Sequence, residues 1–399
     1  MQVATVQVVW IAPDASFPAR RGGSLRLQSL LRALAPQVRV RVLAAAVDAS
    51  EAKKAETHLH QLGVEARVVV RGSTAAWWSQ LGAARIERWF ATPALQQLVA
   101  AECGPMSTGK HILHVDEPSV LRCVPASMRV HTIAHPKLDL EYAQAFAVRA
   151  AERRDVARVR NLEARCVRPR GTHPAPVQLL TCREDLQRLQ TRHPEAQCAV
   201  VPNGVDAVAL GPVPSFLERD TTRLLWLGSL DYPPNVQGLI AFLRTSWPAL
   251  RQARPGLVLE VVGSGPSQHL GDLRIEGVRL LGEVEDVRPA LARAGALLVP
   301  LLVGGGTRLK LLEAAAYGVP IVATRVAAEG LELHEGVHLR LVERIEHLAD
   351  AALEVLDQRA SARERCEAAR AVVLEHYDWK VAAAAVLDVW RRAAAPTVA

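Results

Sequence analysis

The stretch GGGTRLKLLEAAAYGVPIVAT, from Gly304 to Thr324, gathers residue types that could do chemistry together. Its three glycines leave main-chain N–H groups unobstructed and let backbone approach a ligand closely. A helical pattern starts at TRLKLLEAAAYG, and a helix N-terminus adds unpaired donors and a partial positive charge, so the junction suits a phosphate. Arg308 and Lys310 bring full positive charges, and a guanidinium can grip two oxygens at once. Glu313, further into the helix, is acceptor-only when ionised and suits a pair of sugar hydroxyls. A diphosphate joined to a ribose asks for all of these parts. A glycine-rich loop before an ordinary amphipathic helix would explain the glycines alone, but not the joint pattern.

Such a loop needs a strand before it and a helix after it, and the chain alternates these throughout. VATVQVVWIA reads as a buried strand, SLRLQSLLRALA as an amphipathic helix and VRVRVLAAA as a second strand, followed by ARVVV, the helical ALQQLVAAE, HILHV and RVHTIAH. The second half repeats the pattern with TRLLWLGS, one helix over VQGLIAFLRTSWPALRQA, then LVLEVVG, VRLLGEV, VRPALARA, GALLVPL, a helix and PIVAT. This alternation predicts parallel sheets covered by helices on both faces. At 399 residues the chain is long for one core, so two domains are expected. Pro, Gly and Asn punctuate AVVPNGVDAVALGPVPSFLERD, which places the break there. The fold class is therefore α/β, with two Rossmann-like, doubly wound domains over residues 1–206 and 207–377. The helical segment at about 378–399 packs back across the first. Ligands of such folds sit where strands end and helices begin, in the cleft between two facing domains.

Composition narrows the function. The longest apolar runs, VQVVWIA and GALLVPLLV, are too short to span a bilayer, and the N-terminus carries no signal-peptide pattern. The six cysteines are scattered without a CxxC pair, which fits reduced thiols and a cytoplasmic protein rather than a disulfide framework or zinc site. Net charge is +7, unevenly placed: residues 1–206 hold 27 Lys and Arg against 18 Asp and Glu, whereas 207–399 hold 21 against 23. The basic half suits either an anionic partner, such as a membrane surface or phosphorylated acceptor, or a merely solvated arginine-rich surface. Aromatics are few and no recognition module is visible, so nucleic acid is not an expected partner. No DxD pair, P-loop, zinc spacing, nucleophile elbow or EF-hand appears, and no metal or other cofactor is expected.

The chain resembles the family 4 glycosyltransferases, retaining nucleotide-sugar enzymes of the GT-B fold, and most closely those of bacterial exopolysaccharide and cell-surface glycan assembly. The residues that carry the likeness are GGGTRLKLLEAAAYGVPIVATRVAAEGLEL, RLLWLGSLDYPPNVQGLIAFL, VVGSGP, GEVEDVRPALARAGALLVPLL, VVPNGVD and PARRGGSLRLQSLLRALA. The resemblance implies a transferase that moves a sugar from a nucleotide diphosphate, with UDP the default, to a glycan, lipid-linked or small-molecule acceptor. It further implies a metal-independent reaction in the cytoplasm or at the inner face of the membrane. Of the family's two acidic residues eight apart, Glu313 matches the ribose-binding second, while the first falls on Gly305. Main-chain donors of Gly305, Gly306 and Thr307 are left to serve the donor sugar and phosphates. The family's Arg and Lys after the first strand of the second domain are also absent, because that turn reads Gly228-Ser229-Leu230-Asp231-Tyr232-Pro233-Pro234-Asn235. A diphosphate without counter-charge is costly, so Arg308 and Lys310 are expected to relocate the missing charges, with Ser229 and Asn235 at the donor. The same likeness puts Gly263 at a turn near the nucleotide, the backbone of Val284 against the base, and Gly22 and Gly23 beneath the diphosphate. Those two glycines also read as an ordinary turn with Ser24 as helix N-cap.

His135 ends RVHTIAH before Pro136, where the family often sets a histidine near the donor sugar, with His111, His114 and His131 as rivals. There it would orient hydroxyls while cations stabilise the leaving diphosphate. Trp77, Trp78, Leu81, Arg85, Ile86, Trp89 and Phe90 form an amphipathic stripe that suits either a membrane interface or packing on its own domain. Two other functions stay open: a sugar-nucleotide epimerase on the same fold, and a non-catalytic sugar-nucleotide-binding protein.

Overall fold

The computed structural model describes residues 7–17, 19, 22–72, 82–103, 111–265 and 275–394. The chain divides into two compact units, Met1–Pro202 with Trp379–Ala399, and Asn203–Asp378.

Among the described residues the first unit holds seven strands: β1 (Gln7–Ala12), β2 (Arg39–Ala46), β3 (Glu65–Val70), β4 (His111–Val115), β5 (Thr132–His135), β6 (Val177–Leu180) and β7 (Cys198–Val200). They pair in parallel in the order β3-β2-β1-β4-β5-β6-β7. Val8 to Ala12 are buried on both faces of the sheet, as a strand covered by helices on each side must be. The helix Gly22–Leu34 follows β1 and buries Leu27, Leu30, Leu31 and Leu34. It starts at Gly22, so Ser24 lies inside its first turn and is buried. The N-cap expected of Ser24 is thereby corrected: the glycines are themselves helical, and the hydroxyl enters the fold.

The last helix, Trp379–Ala394, belongs to this unit and packs on the Gly22–Leu34 helix and on β4. Trp390 anchors it. Its indole Nε1 donates to Thr132 Oγ1 at 3.1 Å, and that hydroxyl also meets His114 Nδ1 at 2.7 Å. The Trp390 ring stands edge-on to Trp10 at 5.7 Å, an arrangement that aromatic quadrupoles favour.

The second unit holds, among its described residues, β8 (Asp220–Leu227), β9 (Val258–Val262), β10 (Val278–Gly282), β11 (Ala294–Val299), β12 (Ile321–Thr324) and β13 (Arg340–Val342). Their order is β10-β9-β8-β11-β12-β13, again parallel. Alternation along β8 sends Leu225 and Leu227 into one core and Leu224 and Trp226 into the other, the period-two consequence of the pleat. The single helix expected over VQGLIAFLRTSWPALRQA is two, Pro233–Thr245 and Trp247–Ala253. Pro248 cannot donate to the preceding turn, and the buried Ser246 hydroxyl donates instead to the Ile345 carbonyl.

The order of each sheet reverses at one place, between β1 and β4 in the first unit and between β8 and β11 in the second. There, neighbouring helices leave in opposite directions and open a crevice at the carboxyl ends of the strands.

Candidate functional site

The β8/β11 switch point is where the second unit brings its predicted residues together. The turn after β8 runs from Gly228 to Tyr232 into the helix Pro233–Thr245, and the glycine loop after β11 runs into the helix Leu309–Ala316. Lys310 in that second helix reaches the first: its Nζ donates to Asn235 Oδ1 at 3.1 Å and lies 5.2 Å from the centroid of the Trp226 ring. Asn235 is oriented by its own Nδ2, which donates to the Ser229 carbonyl at 3.0 Å, so its oxygen is left to face the ammonium. Gly228 makes the room. A methyl group there would stand 2.7 Å from Asn235 Nδ2 and 2.9 Å from Lys310 Nζ.

Around this turn the backbone is tightly layered. Gly228 N donates to the Val262 carbonyl at 3.0 Å, Leu230 N to the Ser264 carbonyl at 2.7 Å, and Gly263 N to the Gly282 carbonyl at 2.8 Å. A Cβ on Gly263 would fall on the carbonyl oxygen of Gly228, so Gly263 serves close approach of two chain segments. Ser264 Oγ lies 3.4 Å from Ser229 Oγ. Val284 is half-buried and packs against the core beside Val287 and Leu309.

Burial lowers the Lys310 ammonium to about 7, with Arg308 adding to the effect and Glu313 opposing it. Burial likewise pushes the Glu313 carboxyl up to about 7, with Lys310 opposing. Both groups therefore sit near the midpoint of their titration at neutral pH, three residues apart on one helix face. An incoming anion would hold the lysine charged, and a pair of hydroxyls would hold the glutamate ionised.

Arg308 is placed differently. It is the N-cap residue of the Leu309–Ala316 helix. Its guanidinium turns back on the loop, where Nη1 donates to the carbonyls of Gly305, at 2.6 Å, and Gly306. Its Nη2 reaches the Val326 carbonyl at 3.4 Å. A Cβ on Gly304 would collide with that guanidinium, which gives the first glycine of the triplet its reason. Gly306 has φ 70°, the left-handed region open to glycine. Thr307 is buried, and its carbonyl accepts from Asn203 Nδ2 at 3.1 Å.

Gly22, Gly23 and His135 lie in the first unit, at or near the carboxyl ends of β1 and β5. His135 is buried, with Nε2 2.8 Å from Gln178 Oε1. Gln178 donates its Nε2 to the carbonyls of Cys166 and Pro176, so its oxygen is the acceptor and His135 Nε2 carries the proton. Burial keeps this imidazole below its usual range, and therefore neutral at pH 7. His114 and His131 are held in the sheet by Thr132 and the Leu113 amide.

Sequence reasoning overlooked Glu117. It is the second residue after β4, at the β1/β4 switch point, and its Oε1 lies 3.4 Å from where Gly23 would carry a Cβ. Burial pushes its carboxyl up to about 8, Lys137 opposing and Asp139 and Asp116 adding. The signal was present in HILHVDEP, where two acids close a buried strand.

Trp77, Trp78 and Leu81 lie outside the described residues. Of the same stripe, Arg85 and Trp89 are exposed, and Ile86 and Phe90 pack partly against the core.

Residues 221–358, which contain the whole β8/β11 site except Asn203, match the family model described as Glycosyl transferases group 1. The glycogen synthase of Mycobacterium tuberculosis is 30% identical over 205 residues, 49% of this chain and 48% of that one. The phosphatidyl-myo-inositol mannosyltransferase of Mycobacterium leprae is 31% identical over 204 residues, 49% of this chain and 53% of that one. The chain is thus similar, through residues 221–358, to the group 1 glycosyltransferases, which are of the family 4 type. It spans about half the length of the curated relatives it matches. HepE of Anabaena, solved in complex with UDP and glucose, superposes with a TM-score of 0.70 at 15% identity, covering 96% of this chain and 99% of that one. Together with the two parallel sheets, this places the chain in the GT-B fold class.

Proposed function

We propose that the chain is a retaining glycosyltransferase that takes a sugar from a nucleotide-diphosphate sugar, UDP-linked by default, to a glycan, lipid-linked or small-molecule acceptor. The carrying observation is the Lys310 ammonium held on Asn235. It lies at the turn after β8, where the family's missing cations belong, and Glu313 is on the same helix face for the ribose. As the sugar leaves, negative charge grows on the diphosphate, and a fixed ammonium with loop N–H groups favours that state more than the ground state. His135, a neutral donor through Nε2, is assigned to the sugar's hydroxyls by the family resemblance, and the reaction needs no metal.

The direct test is a thermal-shift screen with UDP-, GDP- and ADP-sugars, since a ligand that binds only the folded state raises its melting temperature by mass action. A selective rise with one nucleotide supports the reading, and no rise with any refutes it. Product analysis with and without EDTA then separates the classes. Slow hydrolysis of a bound donor marks a transferase. Isomerised sugar without acceptor marks an epimerase. Tight binding without turnover marks a binding protein.

The proposed place of work is the cytoplasm, with peripheral contact at the inner face of the membrane through the basic first unit. No helix among the described residues is long and apolar enough to cross a membrane. Support comes from Trp89, 58% exposed, on the helix Arg85–Phe90. The Arg85 amide in that helix bonds Asp155 of the helix Ala150–Cys166, which exposes Arg153, Arg154 and Arg160. Co-sedimentation with phosphatidylglycerol vesicles that weakens with salt is the expected result; equal recovery with neutral vesicles refutes the contact.

A further inference from the structure

The glycine loop carries more than bare backbone. Three successive carbonyls are each held by a side chain: those of Gly305 and Gly306 by the Arg308 guanidinium, and that of Thr307 by Asn203. In a trans peptide the N–H points opposite to the C=O. Fixing the carbonyls therefore also aims the N–H groups of Gly306 and Thr307 away from the guanidinium, in one shared direction. Gly306 has left-handed backbone, one half of the alternating arrangement whose successive N–H groups take anions. A second observation points the same way. Thr307 is 7% exposed, and its Oγ1 is buried without a hydrogen-bond partner among the described residues. An unpaired hydroxyl is costly to bury, and it belongs to the residue whose N–H shares a peptide plane with the clamped Gly306 carbonyl.

We infer that Arg308 is a positioning residue: it clamps the Gly306 carbonyl, while Asn203 holds the next one, so that the Thr307 amide and hydroxyl receive a phosphate oxygen of the donor. Lys310 supplies the charge at that phosphate. This rests on the nucleotide-sugar reading above and replaces a direct Arg308–phosphate grip with an indirect one. The geometry gives the reason. Nη1 serves two carbonyls and Nη2 a third, and turning the guanidinium outward would release all three.

The test separates clamping from charge. Arg308→Gln keeps amide donors for the carbonyls but removes the charge, whereas Arg308→Met removes both at similar length. Titration calorimetry with UDP should show the Gln variant within about threefold of the parent protein and the Met variant weaker by tenfold or more. Melting temperatures of both variants would show that each is folded. In protein labelled with 15N-threonine, UDP should move the Thr307 amide proton downfield in the parent and Gln proteins, and not in the Met variant. Thr307→Ser assigns the threonine signal by its disappearance. Equal losses for Gln and Met, or a stationary Thr307 amide in a parent protein that binds UDP, would overturn the inference. A parent protein that binds no UDP, GDP or ADP would instead overturn the nucleotide reading, and the inference with it.

Discussion

Lys310 Nζ and Asn235 Oδ1 lie 3.1 Å apart across 75 residues of sequence. The contact joins the helices that leave β8 and β11 on either side of the second sheet's switch point. A cation thus reaches the turn after β8 from another element, and Gly228 leaves the space it occupies. Lys310→Met should weaken UDP-glucose binding by about 1.5–3 kcal/mol, the range for a hydrogen bond to a charged group. Uridine binding should scarcely change. Calorimetry with both ligands checks it, and equal losses would remove the ammonium from the diphosphate.

The pH dependence follows from the same helix face. Lys310 titrates at about 7 and loses its charge as pH rises through that value. Glu313 titrates at about 7 and loses its charge as pH falls through it. UDP-glucose, whose diphosphate does not titrate in this range, should therefore bind best near pH 7 and weaken on both sides. Because the anion raises the lysine's affinity for its proton, binding above pH 7 should take up protons, seen as a dependence on buffer ionisation enthalpy. Lys310→Arg should flatten the alkaline limb alone, and Glu313→Gln the acid limb alone.

Ribose recognition has its own probe. Glu313→Ala should cost about 1.5–3 kcal/mol of UDP affinity. A 2′-deoxy analogue should already bind the parent protein less well, and the variant should no longer distinguish it from UDP. Continued discrimination by the variant would place the ribose elsewhere.

Two glycines should fail in different ways. A methyl on Gly263 would meet the Gly228 carbonyl oxygen, main chain that cannot yield. Gly263→Ala should therefore destabilise the fold by about 1–3 kcal/mol or more, as overpacking does. At Gly228 the obstacles are the side chains of Asn235 and Lys310. Gly228→Ala should move the ammonium and lose nucleotide affinity with the smaller fall in melting temperature. Denaturant melts and calorimetry on the pair check the contrast.

The last helix is open to test through Trp390, which is buried against Trp10 and bonded to Thr132. Trp390→Ala should cost about 3–5 kcal/mol through the cavity it leaves. Trp390→Phe, which keeps most of the packing and loses the indole N–H, should cost less. Equal effects would mean that the hydrogen bond dominates.

The sequence by itself determined the two parallel sheets, because VQVVWIA, TRLLWLG and GALLVPL are too uniformly apolar to be covered on one face only. It also pointed to the end of GALLVPLLV as the place for phosphate chemistry, because glycines, cations and a helix start are local properties of the chain. What it did not fix was the direction in which each long side chain turns. Arg308 and Lys310, two residues apart, look equivalent in a string of letters. Tertiary structure parts them: Arg308 folds back onto the carbonyls of its own loop, and Lys310 crosses to Asn235. The Ser246 break, the helical place of Ser24 and the position of Glu117 beside Gly23 were hidden for the same reason. Each depends on which distant backbone group, carboxyl or methyl-sized gap lies opposite, and residues far apart in the chain supply that opposite side only once the sheet has set its order.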